Sequence, residues 1–579
     1  MYARFLLRIP GRFGEFIIIN LWILFHAQTT EVFYFWSRVT MTLTQNVRTA
    51  LARMTAVVIF LMAVIPSQRS LAQYQNIRVS LPSASDPEEV SIAMNPANTM
   101  NLAAGANIDY YYYSTNGGFN WTQGRLSSTY GVWGDPCLVY DDEGNLYFVH
   151  LSNPPSPGYW IDRIVVQKST NGGVSWNSGA GIGFRPPRAQ QDKAWLAADM
   201  RRPPRGGTLY ISWTDFDSYG STATSDSSRI RLSRSTDGGI TWSTPVRVSD
   251  RAGDCIDEDN TVEGAVPTIG PNGEVYLAWS GPLGIMFDKS TDQGMTFGSD
   301  VFVSSQPGGW DYAVSGIYRC NGLPITACDV SSSPYRGNIY VNWSDQRNGL
   351  NNTDIFISKS TDGGATWSPA RQVNNDITTS QQFFTWMTVD QATGYVYAVF
   401  YDRRATSGNA TDVYLARSTD GGETFSNFKV SQTPFTPTSG VFFGDYTNVT
   451  AYNGKICPIW MRLDGSALSV WMAIVNDSIA TSVPPEAGHA SSFALYQNYP
   501  NPFNPSTMIR FNVSVADHVV LKVFDLLGRE VATLVDGMTN PGEHTVVFNA
   551  WDYQLSSGTY FYRMTTGSFS ETKRFILLQ

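Results

Sequence analysis

The sequence predicts an all-β chain: a six- or seven-bladed β-propeller, with seven favoured, followed by a small C-terminal β-sandwich. Three observations predict it. An eight-residue phrase recurs six times between residues 114 and 425. The stretches between copies alternate and are rich in Val, Ile, Tyr and Trp, which suits sheet. Helical periodicity is nearly absent between residues 80 and 475.

The 579 residues exceed what one ordinary domain needs. Hydrophobic residues at 42% against charged residues at 15% fit a packed β protein and exclude a disordered one. A net charge of −9 and a pI near 5.2 leave no basic face for a phosphate backbone, so nucleic acid is excluded as a partner.

Residues 1–73 read as a leader. Arg48 and Arg53 precede the apolar run 54–66, and Ser70 and Ala72 are small residues suited to cleavage. That run is shorter than the roughly 20 residues needed to span a bilayer, so no transmembrane anchor is expected in the mature chain. Residues 1–40 fit no such pattern, which makes Met41 or Met54 an alternative start and 1–40 a gene-model artefact. Export permits disulfides among Cys137, Cys255, Cys320, Cys328 and Cys457. The odd number leaves a free thiol; Cys320 and Cys328 can pair, and Cys255 competes with either.

Residues 74–476 form the propeller. The phrases begin at 114, 169, 235, 290, 360 and 418, a spacing that signals repeated sheets. Each interval holds four strands, of which the second has one recognisable type, as in "TLYISWTD" and "NIYVNWSD". Four strands per unit is a propeller blade. Within "STDGGATW" adjacent glycines supply the positive φ of a tight hairpin, and the acid at its third position accepts backbone N–H groups. That position is Asn116, Asn171, Asp237, Asp292, Asp362 and Asp420 in turn. Asparagine keeps the acceptor oxygen and loses the charge, so the position serves folding and not acid–base chemistry.

The phrase resembles the Asp box of sialidase-like (BNR-repeat) propellers, across roughly residues 80–476. The resemblance implies boxes on the blade periphery and a carbohydrate context: a glycoside hydrolase, or a binding protein with no reaction. Fold alone does not choose between these. The family's arginine triad is incomplete here. Its R-I-P pattern occurs only at Arg8–Pro10 in the leader, and Arg78 is the sole arginine between the cleavage site and the first phrase.

After the linker 477–492, residues 493–579 carry alternating strands broken by Gly and Pro, a small sandwich. This block resembles the C-terminal sorting domain of type IX secretion substrates, from its "YPNPFNPST" opening to its "KRFILLQ" ending. The resemblance implies export to the outer surface, with the secretion machinery as partner through residues 493–579. The alternative is an accessory carbohydrate-binding sandwich.

Chemistry is sought at the propeller mouth, where loops converge. Only His150 lies in the propeller, too few for a multi-histidine metal site, and it reads as a core-edge residue. Glycoside hydrolysis by carboxylates needs no histidine. Glu263, Tyr446 and Asp402 are the catalytic candidates, Tyr446 with Glu263 as nucleophile and base. Asp345, Arg347, Arg403, Arg404 and Asp445 are substrate-binding candidates, and Trp310, Tyr312 and Trp386 offer stacking surfaces. The competing reading makes the Asp–Arg pairs inter-blade salt bridges. No cofactor is required. Asp254, Asp257 and Asp259 in "DRAGDCIDEDNTVE" suit calcium by oxygen density, against a solvated acidic loop. Two functions stand: a secreted sialidase-like propeller acting on glycans, an exo-glycosidase if an enzyme, or a non-catalytic surface propeller binding glycans or proteins.

Overall fold

The computed structural model describes residues 74–201, 207–477, 493–498, 501–539 and 542–578, with the backbone of strands Tyr2–Arg8 and Phe16–Trp22. The export run 54–66, Ser70, Ala72 and linker residues 478–492 lie outside the described residues. The two N-terminal strands pair antiparallel within a unit of their own, residues 1–71.

From residue 76 to 476 the chain lays down one antiparallel meander after another. Seven sheets of this kind occur among the described residues. Their innermost strands are Ser91–Met94, Cys137–Tyr140, Gln190–Ala198, Glu263–Ile269, Ile325–Cys328, Gln382–Val389 and Asn448–Tyr452. Each packs on the next, and the last packs on the first, which closes a β-propeller. Second strands such as Leu209–Phe216 and Ile339–Asp345 are buried along their whole length. Side chains on both faces of these sheets meet a neighbouring sheet, which is why these strands read as nearly continuous apolar runs.

The final sheet borrows its outermost strand from the other end of the domain. Asn76–Arg78 pairs with Ala467–Ala473, Asn76 opposite Ala473, and Ile77 and Val79 are buried there. A ring made from one chain has a seam, and this pairing joins it without a covalent bond.

The octapeptides sit in the connections from third to fourth strand. Ser360 Oγ donates to Asp362 Oδ1 at 2.7 Å and accepts from Gly364 N at 2.8 Å. Thr366 donates its N–H to Asp362 Oδ1 at 2.9 Å and its hydroxyl to Oδ2 at 2.6 Å. Gly363 and Gly364 take φ of 70° and 85°, as a tight turn requires. Asn171 keeps the same pattern, accepting from Ser169 Oγ and Ser175 N while its amide donates to Ser175 Oγ. The acceptor oxygen is common to both residue types, so geometry and not charge is what the turn uses. Hydrogen bonding holds Asp237, Asp292, Asp362 and Asp420 down at a pKa of about 2.

Each octapeptide also fastens its sheet to the one before. Lys168, Arg234, Lys289 and Lys359, each directly preceding a phrase's serine, donate to the carbonyls of Gly238, Gln293, Gly363 and Gly421 in the next phrase. Trp367 packs edge-on against Phe287 of the preceding sheet, ring centres 5.0 Å apart.

The carboxyl block forms two sheets. One holds Ala494–Leu495, Ser506–Val513 and Gly542–Asn549; the other holds Asp517–Phe524, Glu530–Thr539, Gly558–Thr565 and Ser570–Leu577. Phe511, Val523, Phe548, Tyr562 and Phe575 belong to its separate core. All five cysteines are buried free thiols, so Cys320 and Cys328 do not pair. Cys320 lies in a short two-residue strand, and Cys328 ends an innermost strand whose partner residue is Ile339.

Candidate active site at the propeller mouth

Because the chain enters every sheet along its innermost strand, the starts of those strands gather at one end of the axis. The octapeptides lie at the other end. The first residues therefore define the mouth, and their backbone is unusual. Glu89, Asp135, Lys193, Gly264 and Phe384 each precede by two the residue where inner-strand pairing begins or resumes: Ser91, Cys137, Trp195, Val266 and Trp386. All five have positive φ, from 47° at Lys193 to 78° at Gly264. In three of the strands this kink is a β-bulge, a device that re-aims a side chain. For a residue with a Cβ this conformation costs about 1–2 kcal/mol, and such outliers gather where function demands them.

The kinks bring a charge cluster together. Lys193 Nζ lies 2.6 Å from Asp445, 3.5 Å from Asp135 and 3.6 Å from Glu89. Arg319 grips the same Asp445 through two nitrogens, Nε at 3.0 Å, and reaches Asp257 at 3.8 Å. Tyr219 donates its hydroxyl to Asp257 at 2.5 Å. Asn107 donates to Glu89 and accepts the Asp135 N–H at 2.8 Å. Glu263 has both carboxyl oxygens buried without a hydrogen-bond partner, and the Tyr446 hydroxyl is likewise unpartnered. Six carboxyl groups (Glu89, Asp135, Asp192, Asp257, Glu263, Asp445) thus face two cations, Lys193 and Arg319.

This imbalance separates the carboxyl groups into two kinds. Burial alone would raise Asp445, but Lys193 and Arg319 hold it well below the usual carboxylate range. Burial raises Glu263 well above its ordinary value, reinforced by Asp257 and then Asp192. Glu89 is raised by burial and Asp135, and Asp192 by the same two causes. A protonated Glu263 gains a donor for Asp257, which removes the orphaned oxygen. Pairs of groups pushed apart in this way are the arrangement of acid–base sites. Lys193 stays charged because Asp135, Asp445 and Glu89 outweigh its burial.

Beneath the charges an aromatic plug closes the axis. Trp195 stands 4.4 Å from Trp386 and 5.2 Å from Tyr446, ring centre to ring centre. The cavity lined by Lys193, Trp195, Leu323, Phe384, Trp386 and Tyr446 has about 20 Å³, room for one water-sized molecule. Above the charges, Trp133 and Trp160 are exposed at the rim. From two other loops Tyr318 and Phe442 pack edge-on at 6.0 Å beside Arg319.

Of the expected residues, Glu263, Asp445, Tyr446 and the acidic loop's Asp257 join this cluster, and Trp386 lies in the plug beneath it. The others do not. Arg347 pairs with Asp345 and packs over Phe356 of its own sheet. Arg404 pairs with Asp402 and packs over Tyr414 in the same manner. With the two charges two residues apart at a strand end, the arginine folds back on its aspartate, so both are ion pairs within one sheet and not the inter-blade bridges expected. Arg403 is buried over Phe383, donating to Ser315 O and Thr411 Oγ1. Trp310, with its indole N–H on Thr261 O, and Tyr312, with its hydroxyl against Ser344, are buried, as is Trp386, so none of the three is a stacking surface.

The acidic loop does not gather its oxygens. Asp254 accepts from Thr261, Asp257 turns to Tyr219 and Arg319, and Asp259 accepts the Asp311 N–H. Among the described residues no group of three or more His, Cys, Asp or Glu side chains is arranged to hold a metal ion. Burial lowers His150 to a pKa of about 4 and keeps it uncharged. Sequence reasoning missed Glu89, Asp135, Lys193, Arg319, Trp133 and Trp160. Three of them were findable, since Glu89, Asp135 and Lys193 share one register position before successive inner strands.

No curated protein matches the chain in sequence. Among solved structures, an ulvan lyase of a polysaccharide lyase family is 11% identical with a TM-score of 0.42, covering 70% of this chain and 96% of that one. The NanB sialidase from Streptococcus pneumoniae is 9% identical with a TM-score of 0.40, covering 65% and 83%. An alpha-L-arabinanase of Penicillium chrysogenum is 14% identical with a TM-score of 0.37, covering 69% and 97%. Among the described residues no helix is long and apolar enough to cross a membrane. Residues 497–578 match the family described as the secretion system C-terminal sorting domain, so the chain ends in a type IX sorting domain, which indicates secretion and attachment at the cell surface.

Proposed function

We propose that this is an exported glycoside-active propeller whose chemistry sits in the carboxyl cluster at the mouth. The observation that carries the reading is a proton-holding carboxyl, Glu263, in one cluster with a carboxylate held ionised, Asp445, where the backbone bends into the left-handed region. Glycoside cleavage needs a proton for the leaving oxygen and negative charge facing an oxocarbenium-like transition state. Glu263 suits the first need and the ionised Asp445 the second. Tyr446 is a poor nucleophile here, because burial and the charges of Asp135 and Glu89 oppose its ionisation.

A second reading, a surface propeller that binds glycans without cleaving them, draws on the full burial of Glu263 and the small cavity above the plug. The sorting domain supports export under both readings. Screening the full chain against chromogenic glycosides and a glycan array separates them. Cleavage abolished by Glu263→Gln supports the enzyme; binding without turnover supports the second reading; neither binding nor cleavage refutes both.

A further inference from the structure

We infer that Trp133 and Trp160 form a stacking subsite for uncharged sugar units, and that the mouth rejects carboxylated ones; this rests on the glycan reading above. Trp133 and Trp160 are 39% and 38% exposed, large apolar side chains left in water. They are not loose. Trp133 N donates to Leu151 O at 2.9 Å, and the residue after Trp160, Ile161, is tied to Ser152 O and Gln191 N. The two indoles meet edge-on at 6.3 Å and 88°, and Trp160 meets Tyr219 edge-on at 5.4 Å. Tyr219 in turn donates to Asp257. Trp133 is two residues from Asp135. An aromatic path therefore runs from solvent to the carboxyl cluster. Rigid aromatic faces beside a few convergent polar groups are what a ring with an apolar face and hydroxyl edges requires.

Charge decides which sugars. A sugar carboxylate is best held by the planar fork of an unengaged arginine. Around this mouth Lys193 and Arg319 are both committed to Asp445, Arg185 to Asp215 and Asp217, and Arg188 to Asp226. An incoming carboxylate must displace one of those aspartates from its cation. A neutral sugar meets no such opposition, and its hydroxyls can donate to the side-chain oxygens of Asp257 and Asp135.

The test uses the full chain. A glycan array identifies oligosaccharides that bind, and calorimetry then compares matched pairs: sialyllactose with lactose, oligogalacturonate with oligogalactan, and glucuronate-bearing with unsubstituted xylohexaose. The expected result is binding confined to neutral members, with carboxylated partners at least tenfold weaker. Trp133→Ala and Trp160→Ala should each weaken neutral binding about tenfold while leaving the thermal midpoint unchanged. Carboxylated members binding equally or better, or both variants keeping wild-type affinity, would overturn the inference and leave the glycan reading standing. An array with no bound glycan of either kind would overturn both.

Discussion

Replacing Glu263 with glutamine should make the protein more stable at neutral pH, by an amount that shrinks on acidification. In the unfolded chain this carboxyl ionises near 4.5, whereas in the fold burial, Asp257 and Asp192 keep it protonated well above that. Between the two values the folded chain binds one proton more than the unfolded chain. Wild-type stability therefore falls as pH rises through this window, by about 1.4 kcal/mol per pH unit. The accumulated cost is therefore larger at pH 7 than at pH 5, which lies close to the unfolded value. Glutamine does not titrate, fills nearly the same volume and offers an N–H to Asp257, so it removes this cost without leaving a hole. Over about 400 propeller residues the unfolding entropy is about 0.8 kcal/mol/K, which converts each pH unit of this window to about 2 °C. Differential scanning calorimetry of both full chains from pH 5 to pH 8 reads this directly. A midpoint for Glu263→Gln at or below wild type throughout, or a gap independent of pH, would refute the reasoning. Under the enzyme reading the same substitution adds stability while removing turnover, the usual trade at a strained site.

The remaining predictions concern the scaffold. Lys193→Met leaves Glu89, Asp135 and Asp445 short of a buried cation, and should cost about 3–5 kcal/mol at pH 7, partly recovered at pH 5 as carboxyls protonate; urea midpoints at the two pH values check it. Asp362→Ala loses the acceptor for Ser360 and Thr366 at an exposed turn and should cost about 1–2 kcal/mol, against under about 0.5 kcal/mol for Asp362→Asn, by thermal midpoint. Deleting residues 74–80 removes the seam strand with Ile77 and Val79, about 3–6 kcal/mol of burial. Limited proteolysis should then cut first between 441 and 477. Thiol titration should find no reactive cysteine in the native protein and five after denaturation.

The scaffold was largely legible because its information is local. A turn with two left-handed glycines, an acceptor three positions into the phrase and a closing aromatic are properties of eight consecutive residues, so the chain displays them wherever it folds a unit. The same holds for the carboxyl block, whose motif runs are contiguous. Asp345 with Arg347 and Asp402 with Arg404 misled for a related reason: neighbours in sequence met each other, and local proximity satisfied their charges without the mouth.

The mouth was not legible in that way. Glu89 and Lys193 are separated by more than a hundred residues, Lys193 and Asp445 by 252. Alone, each is an ordinary polar residue before an apolar strand. Only closure of the ring brings the starts of the inner strands to one axis, and only the left-handed kinks turn those side chains toward each other. Sequence alone therefore determined the repeated sheets, their turns and the export block, each written in contiguous residues. Tertiary structure alone decided which carboxyl groups share a proton, which cations are already engaged and which tryptophans stay in water, because those are properties of residues that meet only when the seam is joined.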